Sequence, residues 1–375
     1  MISDLFIGNV RSLDGLEYQF GPGINVVGGP NGCGKTTILE SVYLLSQGFS
    51  FRANDLKELI AWNKDELVLR GRFDSGKGLV DRGVSVARGP TSRGRICAKE
   101  NGESLRSPTA FFGKCPAVVM QPGDIELLRG APEVRRHWLD EILCFRSAAN
   151  AEVLRRYKRI LQQRNQWLRQ FKREGCAVGG EELLGVLTEQ LVDVGAKLWV
   201  ARVNLSAEVS KIITGYYRKL SGGVDEITCN YKSSILESIE QEKQNSLDEP
   251  TFKSAFKNKL ADLAPAERAM GMTMAGPHRD DLALCASGYE MRSVGSQGQC
   301  RSAAVAMRFA AVDVATQYIG KPVLLLDDIF AELDVNRRDA VAALIREKEC
   351  QVLIATPQVE ELPFTPDAEF HLELH

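Results

Sequence analysis

The stretch GINVVGGPNGCGKTT, Gly23 to Thr37, decides how this chain is read. Gly23–Gly28 (GINVVG) reads as a buried-strand run that feeds straight into a glycine-rich turn. From Thr36 to Leu45 the apolar residues Ile38, Val42 and Leu45 return at helical spacing and predict one buried helix face. Between the two lies Gly29-Pro30-Asn31-Gly32-Cys33-Gly34-Lys35-Thr36, which satisfies GxxxxGK[ST] at every fixed position. Glycines at this spacing let the backbone curl so that several N–H groups converge on one anion at a helix N-terminus. Gly29 through Thr37 are therefore the expected nucleotide-binding residues. Lys35 is expected on the β- and γ-phosphates, with the Thr36 hydroxyl on Mg²⁺. A glycine-rich turn without ligand is the bland alternative, and the strand before and helix after argue against it.

The carboxylates that such a loop works with stand almost three hundred residues away, at the end of PVLLLDD. That run is short and wholly apolar, as a central parallel strand requires. Asp327 is expected to hold the Mg²⁺ shell and Asp328 to orient the attacking water; capping of the next helix is the lesser alternative. The strand QVLIAT and a helix from about 334 belong to the same lobe, and ELVLRGRF, GVSVARG and AVVM read as strands of the first lobe.

The intervening texture is helical. Leu154, Tyr157, Leu161, Leu168 and Phe171 repeat at 3,4 spacing, with Arg164 interrupting the seam. After FKREGCAVGGEE, a turn-like segment, a stripe runs from Leu184, Leu187, Leu191, Val194 and Leu198 to Leu205, Val209, Ile212, Tyr216 and Leu220. Unbroken, that helix would be about 57 Å long at 1.5 Å per residue. A third candidate carries Phe252, Phe256, Leu260 and Leu263. Narrow heptad seams joined by a polar turn predict an antiparallel coiled-coil arm; a globular helical bundle is the alternative. The expected domains are 1–124, the first lobe of an α/β head; 125–270, the arm; and 271–375, the second lobe.

Composition bounds what else the chain does. With 375 residues, 44% hydrophobic and 26% charged, it has the material for two buried cores. No apolar run approaches the roughly 18 residues that span a bilayer, and MISDLFIGNV lacks the basic and apolar regions of a signal peptide. Nine cysteines without a CxxC pair predict reduced thiols in the cytosol rather than a zinc site or disulfides. Although the net charge is only -2, Arg129 to Arg173 holds twelve Lys/Arg against four Asp/Glu. Such asymmetry suits phosphate contacts of nucleic acid, and Arg155, Arg156 and Arg159 are the candidates; a solvated helix face is the competing reading.

Further stretches appear in a fixed order: Gln121 after AVVM, Ser296-Gln297-Gly298-Gln299 before a helix, the Asp327-Asp328 pair, then Glu332-Leu333-Asp334. In this order they resemble the SMC-like branch of the ABC ATPases. The resemblance implies ATP as the nucleotide, Gln121 as a Mg²⁺-linked glutamine and Asp334 as the D-loop residue. It also implies that Ser296, Gln297, Gly298 and Gln299 form a signature motif completing the site of a second subunit. The arm is far too short for an SMC protein. PAVVMQPGDIELLRGAPEVRRHWLDEIL, RRYKRILQQRNQWLR, AGPHRDDL and LLLDDIFAELD together resemble the RecF family from end to end. The fold implied is an ABC-type (P-loop) ATPase head split by an inserted, mostly helical, coiled-coil-like arm.

Membership of that family implies a weak, DNA-stimulated ATPase that uses ATP and Mg²⁺ and forms a homodimer on ATP. It implies binding of double-stranded and gapped DNA, work with RecR in loading RecA, and a cytoplasmic, nucleoid-associated life without membrane contact. Three departures bear on the carry-over. Asn9-Val10-Arg11-Ser12 lacks the family's aromatic residue, so Arg11 is the remaining nucleotide contact there. Thr356-Pro357-Gln358 replaces the switch histidine, and Asp328 stands where most ABC enzymes have glutamate; both changes predict slow turnover. His278 and Arg279 read either as catalytic groups or as structural hydrogen-bonding groups near the second lobe. A transporter subunit or a nuclease-coupled ATPase remains the rival reading; the arm and the missing histidine speak against the first, and the lack of a further metal-ligand cluster against the second.

Overall fold

The computed structural model describes residues 1–89, 95–175, 180–223, 226–239 and 248–373. Residues 176–179 of the expected turn FKREGCAVGGEE lie outside that set. The chain divides into two compact units, Met1–Asp124 with Lys219–Gly223 and Arg301–His375, and Ile125–Arg218 with Val224–Cys300.

The first unit has two sheets with one helix between them. Strands β1 (Ile2–Gly8), β2 (Leu16–Gln19), β4 (Glu66–Asp74), β5 (Leu79–Ala87), β6 (Arg95–Glu100) and β7 (Glu103–Leu105) form an antiparallel sheet in the order β2-β1-β4-β5-β6-β7. A wholly parallel sheet is built from β3 (Ile24–Gly28), β8 (Ala117–Met120), β12 (Val323–Asp327), β13 (Val352–Thr356) and β14 (Ala368–His371), in the order β14-β3-β13-β12-β8. Helix α1 (Lys35–Gln47) packs on strands of both sheets and shares one hydrophobic cluster with Leu5 and Leu69 on one side and Leu325 and Leu353 on the other. Sequence spacing predicts one buried face; instead every residue of α1 except Thr36 is buried, because a helix between two sheets has no solvent side. Its polar groups are answered accordingly. Arg82 on β5, itself buried, donates to the carbonyls of Leu45 and Ser46 at 3.0 Å each, closing the helix C-terminus. The sheets are also joined by one side chain: the Gln351 amide accepts from Ile2 N–H and donates to Ile2 C=O, both at 2.7 Å.

The second unit holds α2 (Pro132–Arg146), α3 (Ala148–Glu174), α4 (Gly180–Ser221) as far as Arg218, and α5 (Glu249–Met270), with a small antiparallel sheet. The expected antiparallel pair exists: Arg164 of α3 faces Thr188 of α4, and Tyr157 faces Gly195. It is not a two-helix coil, however. At Gly195 an added Cβ would meet Phe256 of α5 at 2.7 Å and Tyr157 at 3.2 Å, so three helices share the seam. Trp199 packs on Phe252 with ring centroids 4.0 Å apart and the planes tilted by 48°. Ile213, not Ile212, is the buried member of the stripe.

Two further readings of the insertion change. Arg164 does not interrupt the seam; buried, it pairs with Glu267 at 2.7 Å and bonds Thr273 Oγ1 at 2.8 Å. The second concerns where the insertion ends, because this mostly helical unit also holds strands. Strand β9 (Ile227–Lys232) pairs with β10 (Asp281–Ala286), which pairs with β11 (Tyr289–Glu290). That pairing carries residues 271–300 into the second unit, whereas the sequence texture puts them in the second lobe of the head. AGPHRDDL lies there too: His278 bonds the Tyr157 hydroxyl at 2.7 Å and the Thr273 carbonyl at 3.1 Å, a structural setting in the helical unit.

Candidate nucleotide site

Parallel strands bring their carboxyl ends to one edge of a sheet. In the first unit that edge collects the loop after β3, the Asp327-Asp328 pair at the end of β12, and Gln121 after β8. Gly29, Gly32 and Gly34 have φ of 142°, 87° and 105°. Only glycine adopts such angles cheaply, and space forbids a side chain as well: a Cβ on Gly34 would lie 2.6 Å from Leu13 Cδ2. The turn delivers α1 with no side-chain cap on its first amides, which leaves them for an anion.

Lys35 Nζ donates to the Gly29 and Pro30 carbonyls at 2.6 and 2.8 Å, folded back over the loop. Thr36 Oγ1 donates to Asp327 Oδ1 at 2.8 Å. Two groups 291 residues apart in sequence are thus closed into one lip. Burial pushes the Asp327 carboxyl above its ordinary range, opposed by the Thr36 hydrogen bond and the positive charge of Arg52; the neighbouring Asp328 charge adds to the rise. A hydroxyl and a carboxylate in contact fit Mg²⁺, which takes one or two protein oxygens and leaves its other positions to phosphate and water.

These groups line a cavity of about 670 Å³ with Asn31, Gly32, Gly34 and Thr37. Asp328 lines it from a left-handed backbone, φ 50° and ψ 32°. Arg11 lines it as well, held by an ion pair to the buried Glu40 at 3.1 Å. Other predicted residues serve the loop from behind. Cys33 is buried in the core, and Gly29 and Pro30 give Lys35 its acceptors. Gln121 does not line the cavity; its N–H donates to Asp124 at 3.0 Å, and Asp124 is held by Arg308 at 2.7 Å. Arg52, Glu58, Ile60 and Trp62 line the cavity without any motif to announce them.

Ser296 and Asp334 are both helix caps. Ser296 precedes α6 (Gln297–Tyr318): its Oγ accepts from Gln299 N–H at 3.2 Å, and Gln299 Oε1 accepts from Ser296 N–H at 2.9 Å. This is a capping box, reciprocal and exposed. Asp334 caps α7 (Val335–Lys348), accepting from Arg337 N–H at 3.0 Å, a bond that holds its carboxyl below the usual range. On α3, Arg155, Arg156 and Arg159 are all exposed; Arg155 pairs with Glu152, while the other two have no carboxylate partner among the described residues. No described helix is long and apolar enough to cross a membrane.

Compared with known proteins, residues 4–104 match the AAA domain family. The chain is 34% identical over 362 residues to the DNA replication and repair protein RecF of Geobacter sulfurreducens, covering 96% of this chain and 94% of that protein. To RecF of Bacillus subtilis it is 31% identical over 360 residues, with 96% and 94% covered. The solved structure of the recombination mediator protein RecF with ATP, in the RecFOR pathway, matches with a TM-score of 0.86 at 27% identity, covering 99% of this chain and 95% of that one. An Smc head bound to the C-winged helix domain of ScpA shares the fold, with a TM-score of 0.52 at 16% identity over 95% of this chain and 89% of that one. Similarity along nearly the whole length, on a head whose phosphate loop closes onto Asp327, makes the chain a member of the RecF family of DNA replication and repair proteins, with an SMC-like ABC ATPase fold.

Proposed function

We propose that this protein is an ATP-gated clamp on duplex DNA, in which slow hydrolysis times release. The observation that carries the proposal is the Thr36–Asp327 contact at the rim of the cavity, with Asp328 beside it. Lys35 exchanges its two loop carbonyls for phosphate oxygens, and the first amides of α1 take the rest of that charge. Thr36 and Asp327 would hold Mg²⁺, with Gln121 at the neighbouring strand end; an ion bound there would supply positive charge against the phosphates. Asp328 accepts a proton from the attacking water as its oxygen bonds to the γ-phosphorus and the bond to the β-phosphate oxygen breaks, leaving ADP and phosphate. No nuclease activity is expected of the protein.

ATP binding joins two copies of the chain through the exposed Ser296–Gln299 turn and the Asp334 loop, each copy completing the other's site. Arg155, Arg156 and Arg159 supply phosphate contacts to double-stranded DNA beside single-strand gaps, where the dimer works with RecR in loading RecA. DNA stimulates the ATPase, and the protein acts in the cytoplasm on the nucleoid.

Sedimentation of the chain with ATP, with ADP and without nucleotide tests the dimer. Ser296→Arg would also lose the helix cap, worth about 1 kcal/mol. Ser296→Asp retains a capping oxygen and adds negative charge facing a phosphate. It is expected to bind ATP as a monomer. An ATP dimer that survives Ser296→Asp removes the two-copy site.

A further inference from the structure

We infer that Trp62 is the platform on which the base of the bound nucleotide stacks. The inference rests on the reading of the cavity as an ATP site and extends it to the half of the ligand that the sequence motifs leave unassigned. Trp62 is 90% exposed, the highest value among the large apolar side chains of the described residues. An indole left in water forgoes one of the larger burial gains available to a side chain, a gain that a flat ring laid on its face would recover.

The ring is not carried by a loose loop. Ala61 N–H donates to the Asn9 carbonyl at 3.0 Å, Ile60 forms a β-bridge with Val10, and Lys64 N–H returns to the Ala61 carbonyl at 3.2 Å. The backbone on both sides of Trp62 is therefore tied, and on one side it is tied beside Arg11, which faces the same cavity.

The cavity divides by chemistry. Lys35, Thr36, Asp327 and Asp328 form a charged end suited to phosphates and a metal ion. Ile60 and Trp62 supply apolar surface, which phosphates do not want, and a purine is a flat, uncharged, polarisable ring. Trp62 alone offers it an aromatic face among the residues lining the cavity. Base–aromatic stacking of this kind is worth about ten-fold to a hundred-fold in affinity and is tolerant of which base is stacked.

Inorganic tripolyphosphate, which has the charge of the nucleotide tail and no base, separates the two ends. Calorimetric titrations of the full chain with ATP and with tripolyphosphate are compared for wild type, Trp62→Ala, Trp62→Phe and Lys35→Ala. Trp62→Ala is expected to weaken ATP about ten-fold to a hundred-fold, and Trp62→Phe to remain within about three-fold of wild type, because a smaller ring still stacks. Tripolyphosphate affinity stays unchanged in both, and the drop in indole emission on adding ATP vanishes in Trp62→Phe. Unchanged ATP affinity in Trp62→Ala, or an equal loss for ATP and tripolyphosphate, overturns the platform. Should Lys35→Ala bind ATP as wild type does, the ATP site itself is misplaced, and the inference falls with it.

Discussion

At Asp328 the backbone is left-handed, which costs a residue with a β-carbon about 1–2 kcal/mol; asparagine and aspartate bear it best. Strain held at a strand end beside the cavity supports the role proposed for Asp328. The conformation also dictates the clean experiment. Asp328→Asn tolerates the angle and keeps the size while removing the charge, so ATP binding should persist and hydrolysis should fall about a hundred-fold or more. Asp328→Ala should lose the same activity and about 1 kcal/mol of stability besides. Release from duplex DNA after an ATP chase then reports on timing: equal release from wild type and Asp328→Asn, with hydrolysis lost in the variant, would sink the clamp mechanism. Lys35 and Asp327 are legible in the sequence because their motif encodes a backbone path. Arg52, Glu58 and Trp62 are not, since each is placed by a loop whose course depends on the bridge between Val10 and Ile60.

Among the elements, the helical unit is where pattern and packing part company. A heptad seam marks which residues are buried and says nothing of how many helices share the burial, so the place of α5 as third member is not legible in it. Arg164 looks like a flaw in the seam because its partner, Glu267, lies on a helix far along the chain; truncating one member of such a pair costs about 3–5 kcal/mol. β9 and β10 are likewise distant in sequence, and short strands with a distant partner leave little periodic signal.

The turn after α5 adds a prediction of its own. His278 is pushed down to about 4, first by burial and then by the charges of Arg279, Arg136 and Arg202. Burial pushes Asp280 up to about 6, opposed by Tyr231, whose hydroxyl donates to it at 2.8 Å, and by Arg202 and Arg136. A histidine lowered in the fold gives stability that is full above its unfolded value and is lost as pH falls towards 4. An aspartate raised in the fold does the reverse, losing stability as pH climbs from about 4 through 6. Each is worth about 3 kcal/mol across its window, so in the wild type they largely offset each other. Urea midpoints between pH 4 and 6.5 should therefore fall more steeply on acidification in Asp280→Asn than in wild type, and less steeply in His278→Gln. Parallel slopes for the three proteins would refute the offset.

For the whole molecule, a net charge of -2 hides a strongly basic helix, and that asymmetry sets the expected behaviour on DNA. Duplex affinity should drop steeply with salt and vary little with sequence. Replacing Arg155, Arg156 and Arg159 together by glutamate should weaken binding and flatten the salt slope by about 3, while the exposed positions leave the thermal midpoint unchanged. A salt slope unaltered by the triple substitution would move the DNA surface off α3. The parallel sheet carries a different consequence. β3 is flanked by β13 and β14, and Leu372 N–H bonds the Gly28 carbonyl at 2.9 Å while its own carbonyl fills the space beside Gly29. A ribosome adding about 5–20 residues per second therefore delivers the flanks of the phosphate loop roughly twenty seconds to over a minute after the loop itself. Throughout that interval the strand Ile24–Gly28, apolar but for Asn25, lacks both of its sheet partners in the nascent chain, so the phosphate loop is expected to bind no ATP until synthesis is nearly finished.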